Sequence, residues 1–136
     1  MNIELTEKEF RRLLDMVYIG NWVLNSNRGQ DRFKAYDRVE SLLFSKCREH
    51  GMGTLAEEWN GTTVPSRAFS EGGIHEAIMD YEDAMFFDIL AEELAHRDME
   101  HEPITQRNYD EYVARIDAYM DEFERSGTDH LQLEED

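Results

Sequence analysis

From Ile74 to His101 the chain contains neither glycine nor proline, and its apolar residues recur at helical rather than alternating spacing. A stretch of that kind predicts one long helix, the third in the chain. At 100° per residue Ile74, Ile78, Tyr81 and Met85 lie within about 60° of one another, whereas Phe86, Phe87, Leu90 and Leu94 gather on the opposite side. The apolar face therefore changes between Glu82 and Met85. Either the helix bends there, or it is packed on two sides, with a second copy of the chain, a homodimer, as one way to cover the second face.

Three further helices are expected around it. Thr6 and Glu9 have the spacing of a capping box, and Leu5 and Phe10 that of a hydrophobic staple. Phe10, Leu13, Leu14, Val17 and Leu24 continue as one stripe. Met16, Ile19, Trp22 and Val23 lie on the other side, so the later part of this helix is apolar nearly all round and expected to be buried between neighbours. Asn25 to Gly29 reads as a turn. Asp31 is the expected cap of a second helix with Tyr36, Val39, Leu43 and Cys47 on its core stripe, stopped by Gly51 and Gly53. Thr54 and Glu57 repeat the capping spacing, which suggests one or two short helical turns before Asn60-Gly61. Asn60 to Gly73 is the longest irregular stretch, either functional or a crossover between distant helix ends.

The last helix is expected after Pro103, capped by Thr105 and stapled by Ile104 and Tyr109. Its stripe is Tyr109, Tyr112, Val113, Ile116, Tyr119, Met120 and Phe123, with Gly127 at the place of a C-cap glycine. No alternating run bounded by turn signals reads as a strand. The expected fold class is therefore all-α: a four-helix bundle-like domain with one long loop containing a short helical turn. A single domain over residues 1–127 and a short flexible acidic tail over residues 128–136 suit a chain of 136 residues.

Charge narrows the partners. Residues 1–67 hold 10 Lys and Arg against 10 Asp and Glu, and residues 68–136 hold 4 against 21, so the net −17 belongs to the second half. Such a field repels nucleic-acid phosphates and anionic membrane surfaces, and it favours basic partners, cations or plain solvation. No direct nucleic-acid binding and no membrane association are expected. Arg28, Arg32, Lys34, Arg38, Lys46 and Arg48 make a weak basic zone, balanced by Asp31, Asp37, Glu40 and Glu49. No apolar run approaches a membrane span, Glu4, Glu7 and Glu9 stand where a signal peptide would be basic, and Cys47 is the sole cysteine. A reducing, cytoplasmic setting is the expectation.

Candidate chemistry concentrates at the end of the third helix. Glu93 and His96 form a Glu-x-x-His step, the spacing that points two ligands at one metal pair in di-iron carboxylate bundles. A full centre needs a second such motif on another helix. The only other pair, Asp98 with His101, is on the same one. A divalent cation on Glu93, His96 and His101 is the narrower reading, and solvated residues on an acidic helix end are the plain one. Glu92, Asp98, Glu100 and Glu102 extend the patch as a partner-binding surface, where many acids at a helix C-terminus are locally unfavourable unless something basic docks. There is no EF-hand loop, because Gly29 is misplaced after Asn25 and Asn27 and no glutamate takes the twelfth position. Gly72-Gly73, with Arg67 nearby, offers an anion site or simply a tight entrance to the helix. Cys47 fits the apolar stripe better than a nucleophile's place beside His50. The reading of function is a non-catalytic interaction protein that presents an acidic helical surface to a basic partner. The alternative is a small metal-binding helical protein.

Overall fold

The computed structural model describes residues 1–134, and it is mostly helical with one small antiparallel hairpin. Four long helices are present: α1 (Glu7–Asn25), α2 (Lys34–Phe44), α3 (His75–Asp98) and α4 (Tyr109–Ser126). The chain forms two compact units, Met1–Ile78 and Met79–Asp136, with the boundary inside α3.

In the first unit α1 starts as its sequence dictates. Thr6 Oγ1 accepts from the Glu9 N–H and Glu9 returns the bond to the Thr6 N–H, each at 3.2 Å. Phe10 and Leu14 of this helix meet Phe44, Cys47 and Phe69 in the core, where the Phe44 and Phe69 rings pack edge to face at 4.9 Å. Met16 and Val23 are exposed, so α1 is not enclosed on all sides.

Three expectations need correction in this unit. The first concerns Thr54 and Glu57, which do not open a helix. Gly53–Leu55 is a 3-10 turn, and Ala56–Trp59 (β1) pairs with Thr62–Pro65 (β2) in the register Ala56↔Pro65 to Trp59↔Thr62. Asn60 and Gly61 both take positive φ, 51° and 77°, as a two-residue hairpin turn requires. The stretch expected to be irregular is thus structured. Ser66 then caps a single α-turn at Arg67–Phe69, and a kinked turn through Gly72 and Gly73 leads into α3.

The second correction is the start of α2. It begins at Lys34, and Asp31 instead accepts from the Gly29 N–H and pairs with Arg28. The third is the face that α2 buries. Tyr36 and Val39 are each 49% exposed, while Phe44 and Cys47 are fully buried and Asp37 and Glu40 are half-buried. The helix turns polar side chains inward because α1 offers Asn21 and Asn25 as partners there.

In the second unit, Ala91 and Ala95 are fully buried one turn apart on α3, with Met99 and Phe123 beside them in burial. The Phe87 and Phe123 rings lie 5.4 Å apart, and Tyr119 donates to the Asp98 carboxylate across the α3–α4 pair. Residues 79–84 of α3 are exposed on every side, which accounts for the change of apolar face. Ile78 is buried before that segment and Ala91 after it, so each end of the helix serves its own unit.

The ends of these helices also differ from expectation. α3 stops at Asp98, and Glu100 and His101 both adopt φ of 58°. Thr105 does not cap α4; its hydroxyl accepts from the Arg107 N–H in a turn that precedes Tyr109, while Ile104 and Tyr109 remain exposed. Gly127 does close α4, donating to the Phe123 carbonyl at 2.8 Å. His130 Nδ1 lies 2.5 Å from Glu122 in the tail, whose last residues, 135–136, lie outside the described ones. Among the described residues no helix is long and apolar enough to cross a membrane.

Candidate functional site

A concavity of the first unit lies where α1, α2 and the end of the hairpin meet. Its polar wall starts from two asparagines one turn apart on α1. Asn25, fully buried, donates to Asn21 Oδ1 at 2.7 Å and to the Phe33 carbonyl at 3.2 Å, and accepts from the Phe33 N–H at 2.7 Å. Asn21 donates in turn to Asp37 at 3.0 Å. The Arg32 guanidinium grips the same carboxylate with both arms, at 3.0 and 2.8 Å. Asp37 is thereby held below the ordinary aspartate range, by the Arg32 bonds first and the Asn21 amide next, against the opposing effect of burial.

Glu40, one turn further along α2, faces the cavity that this network borders. Tyr18, Asn21, Trp22, Arg32, Glu40 and Pro65 are among the residues around an open cavity of about 380 Å³. Burial, and then the neighbouring Asp37 charge, push the Glu40 carboxyl up to about 7, against the pull of Asn21 and Arg32. Behind the cavity, the Tyr18 hydroxyl and His75 Nε2 are 2.6 Å apart. The Trp22 and His75 rings meet edge to face at 4.7 Å. Burial raises the Tyr18 phenol above its ordinary range, and the Glu40 charge adds to the effect. This cluster holds a fork-bound Arg–Asp pair, a carboxyl poised near neutrality, and two aromatic rings. Groups shifted by burial in a cleft of this size are how ligand sites are commonly built.

Sequence reasoning missed this cluster. Arg32, Asp37 and Glu40 read as part of a loosely balanced charged zone, and Trp22 as core. The available signal was Asn21 and Asn25 at helical spacing within an otherwise apolar segment, since buried amides demand partners.

The residues singled out at the end of α3 and just beyond it, 92–102, lie in the second unit. His96 Nε2 donates to the Glu102 carbonyl at 3.0 Å, and its Nδ1 stands 3.4 Å from His101 Nδ1. The two imidazoles are brought together, and Glu93, one turn before His96, is exposed and joins no group of three ligands among the described residues. Asp98 is bound to Tyr119 and Arg97, which hold it below the ordinary range in that order of effect. Glu92, Glu100 and Glu102 are exposed. Among the described residues, no group of three or more His, Cys, Asp or Glu side chains is placed to hold a metal ion. Cys47 is buried and free, its thiol raised by burial, and His50 pairs with Glu7 rather than with it.

A different feature organises the exposed side of α3. Met79, Glu82, Asp83, Phe86, Ile89 and Glu93 fall within about 60° of the Phe86 direction at 100° per residue. Met79, Phe86 and Ile89 are 54%, 51% and 55% exposed, and the three acids are exposed as well. This is an apolar row bordered by carboxylates. Residues 1–78 carry 10 Lys and Arg against 12 Asp and Glu, and residues 79–136 carry 4 against 19, so the units have net charges of −2 and −15. Three of those four basic residues, Arg97, Arg115 and Arg125, are already paired with adjacent acids.

No protein-family model, curated protein or solved structure matches the chain.

Proposed function

We propose that the chain is a non-catalytic interaction protein whose residues 79–136 offer an acidic helical surface to a basic partner. One observation carries the reading: the exposed face of α3 sets Met79, Phe86 and Ile89 among Glu82, Asp83 and Glu93. Carboxylates alone are equally consistent with solvation. Large apolar side chains left in water along the same face are not, because an exposed apolar patch is characteristic of a contact surface. The partner that fits is an amphipathic basic segment, its Lys and Arg meeting the acids while its apolar side covers the row. A second copy of the chain is a poorer fit, since it would bring −15 against −15. The buried free thiol of Cys47 supports a cytoplasmic setting for this activity.

Capture from native lysate tests the reading. A basic protein retained at about 50 mM salt and released at about 500 mM is the expected result, because exposed charge pairs are screened over that range. If no basic protein is retained at low salt, the acidity serves solvation only.

The paired imidazoles favour one alternative. With His96 Nε2–H committed to the Glu102 carbonyl, a neutral His96 presents a bare Nδ1 toward His101, and such an outer hydrogen bond is how metal-binding histidines are oriented. Two imidazoles would hold Zn(II) or Ni(II) as an open, weak site. Calorimetric titration with Zn(II) decides it: stoichiometric binding that disappears in His96→Ala supports the site, and no saturable heat removes it.

A further inference from the structure

We propose that the cavity between α1, α2 and the hairpin is a binding site for a small organic cation, an alkylammonium or guanidinium group held by the Glu40 carboxylate against the Trp22 and Tyr18 rings. This goes beyond the acidic surface of residues 79–136 and rests on different residues.

Glu40 and Arg32 line this wall of the cavity, and a second carboxylate, Asp37, is bonded to Arg32. Arg32 spends Nε and Nη2 on Asp37, and its Nη1 donates to the Asn25 carbonyl at 3.4 Å. Glu40 is thereby left as the acid with no counter-charge of its own, in a site where its ionisation is opposed chiefly by burial. A cation entering the cavity supplies that counter-charge. An anion would meet Glu40 and find Arg32 already occupied.

The remaining lining fits the same guest. Trp22 and Tyr18 present aromatic rings, and an organic cation near such a ring gains attraction that a hydrated metal ion does not. About 380 Å³ is within the range of small-molecule sites and is ample for a short alkylamine. The charged and titratable groups around Glu40 are Asp37 and Arg32 from the α2 side, Tyr18 from α1, and His75, bonded to Tyr18, from the start of α3. Binding exchanges one charge for another: the cation enters, the Glu40 carboxyl releases its proton to solvent, and the carboxylate stays. Affinity should therefore be highest above neutrality and fall as Glu40 is protonated.

The full chain carries its own reporter. Trp59→Phe removes an exposed indole at the end of β1 and leaves Trp22 as the sole tryptophan. In that background, titration with n-butylammonium chloride at constant ionic strength should give a saturable change in Trp22 fluorescence at about pH 8, weaker by at least about tenfold at about pH 5.5. Glu40→Gln, which keeps the shape of the neutral acid, should weaken binding at pH 8 by a similar factor. His75→Gln should retain the pH dependence. The proposal is overturned by the absence of a saturable change, by an equal response to n-butanol, by Glu40→Gln binding as tightly as the parent, or by loss of the pH dependence in His75→Gln.

Discussion

The amide of Asn25 accepts from the Phe33 N–H and donates to the Phe33 carbonyl, so a single buried side chain fixes the backbone residue from which α2 departs. Asn25→Ala removes both bonds and leaves the Phe33 N–H without its partner. The expected loss is about 1–3 kcal/mol of stability, read as a lower urea midpoint with an unchanged slope. Glu40 makes the opposite kind of contribution. Its folded carboxyl titrates at about 7, above the ordinary glutamate range, so between those values the folded chain holds a proton that the unfolded chain has released. That contribution to stability is fully present at low pH and declines as pH rises through about 7. Glu40→Gln cannot lose a proton, so its melting temperature relative to the parent should climb from about pH 5 to about pH 8. A constant difference across that range would show that Glu40 is solvated rather than enclosed. Asp37 works in the other direction, since its carboxyl is depressed and its pairing with Arg32 is lost only in acid.

Among the elements, the hairpin depends most on one backbone conformation. Gly61 sits at φ of 77°, where a Cβ is strained whatever the surrounding space. Gly61→Ala should cost about 1–2 kcal/mol, checked by chemical denaturation, and a neutral result would mean that the turn rearranges freely. The Asn-Gly pair was a legible hairpin signal, but Thr54 and Glu57 matched helix-capping spacing and the flanking Glu57-Glu58-Trp59 lacks clean alternation. Legibility followed local chemistry elsewhere too. The start of α1 and the end of α4 are written in Thr6, Glu9 and Gly127, whose bonds reach only a few residues. The cavity was not legible, because it joins residues 18–26, 32–40 and 65–70. Its key carboxylate faces inward only because α2 rotates Tyr36 and Val39 out to water, and apolar spacing alone argues for the reverse.

For the whole molecule, the decisive quantity is the uneven charge, −2 over residues 1–78 and −15 over residues 79–136. Self-repulsion of that size destabilises a folded chain, and salt screens it. Thermal unfolding should therefore move to higher temperature between about 50 and about 500 mM KCl, and a flat or falling trend would mean that local ion pairs already balance the field. The same imbalance underlies the proposed function, in which a basic partner replaces salt as the neutralising agent and the apolar row of α3 sets where it lies. The most direct test compares retention of a basic partner from lysate by the parent chain and by a Phe86→Ser/Ile89→Ser double variant, with matched helicity by circular dichroism. The variant, which keeps every charge, should retain at least about tenfold less partner at about 50 mM salt, since two half-exposed apolar anchors are gone. Equal retention by both proteins would contradict it and reduce the interaction to unspecific attraction between charges.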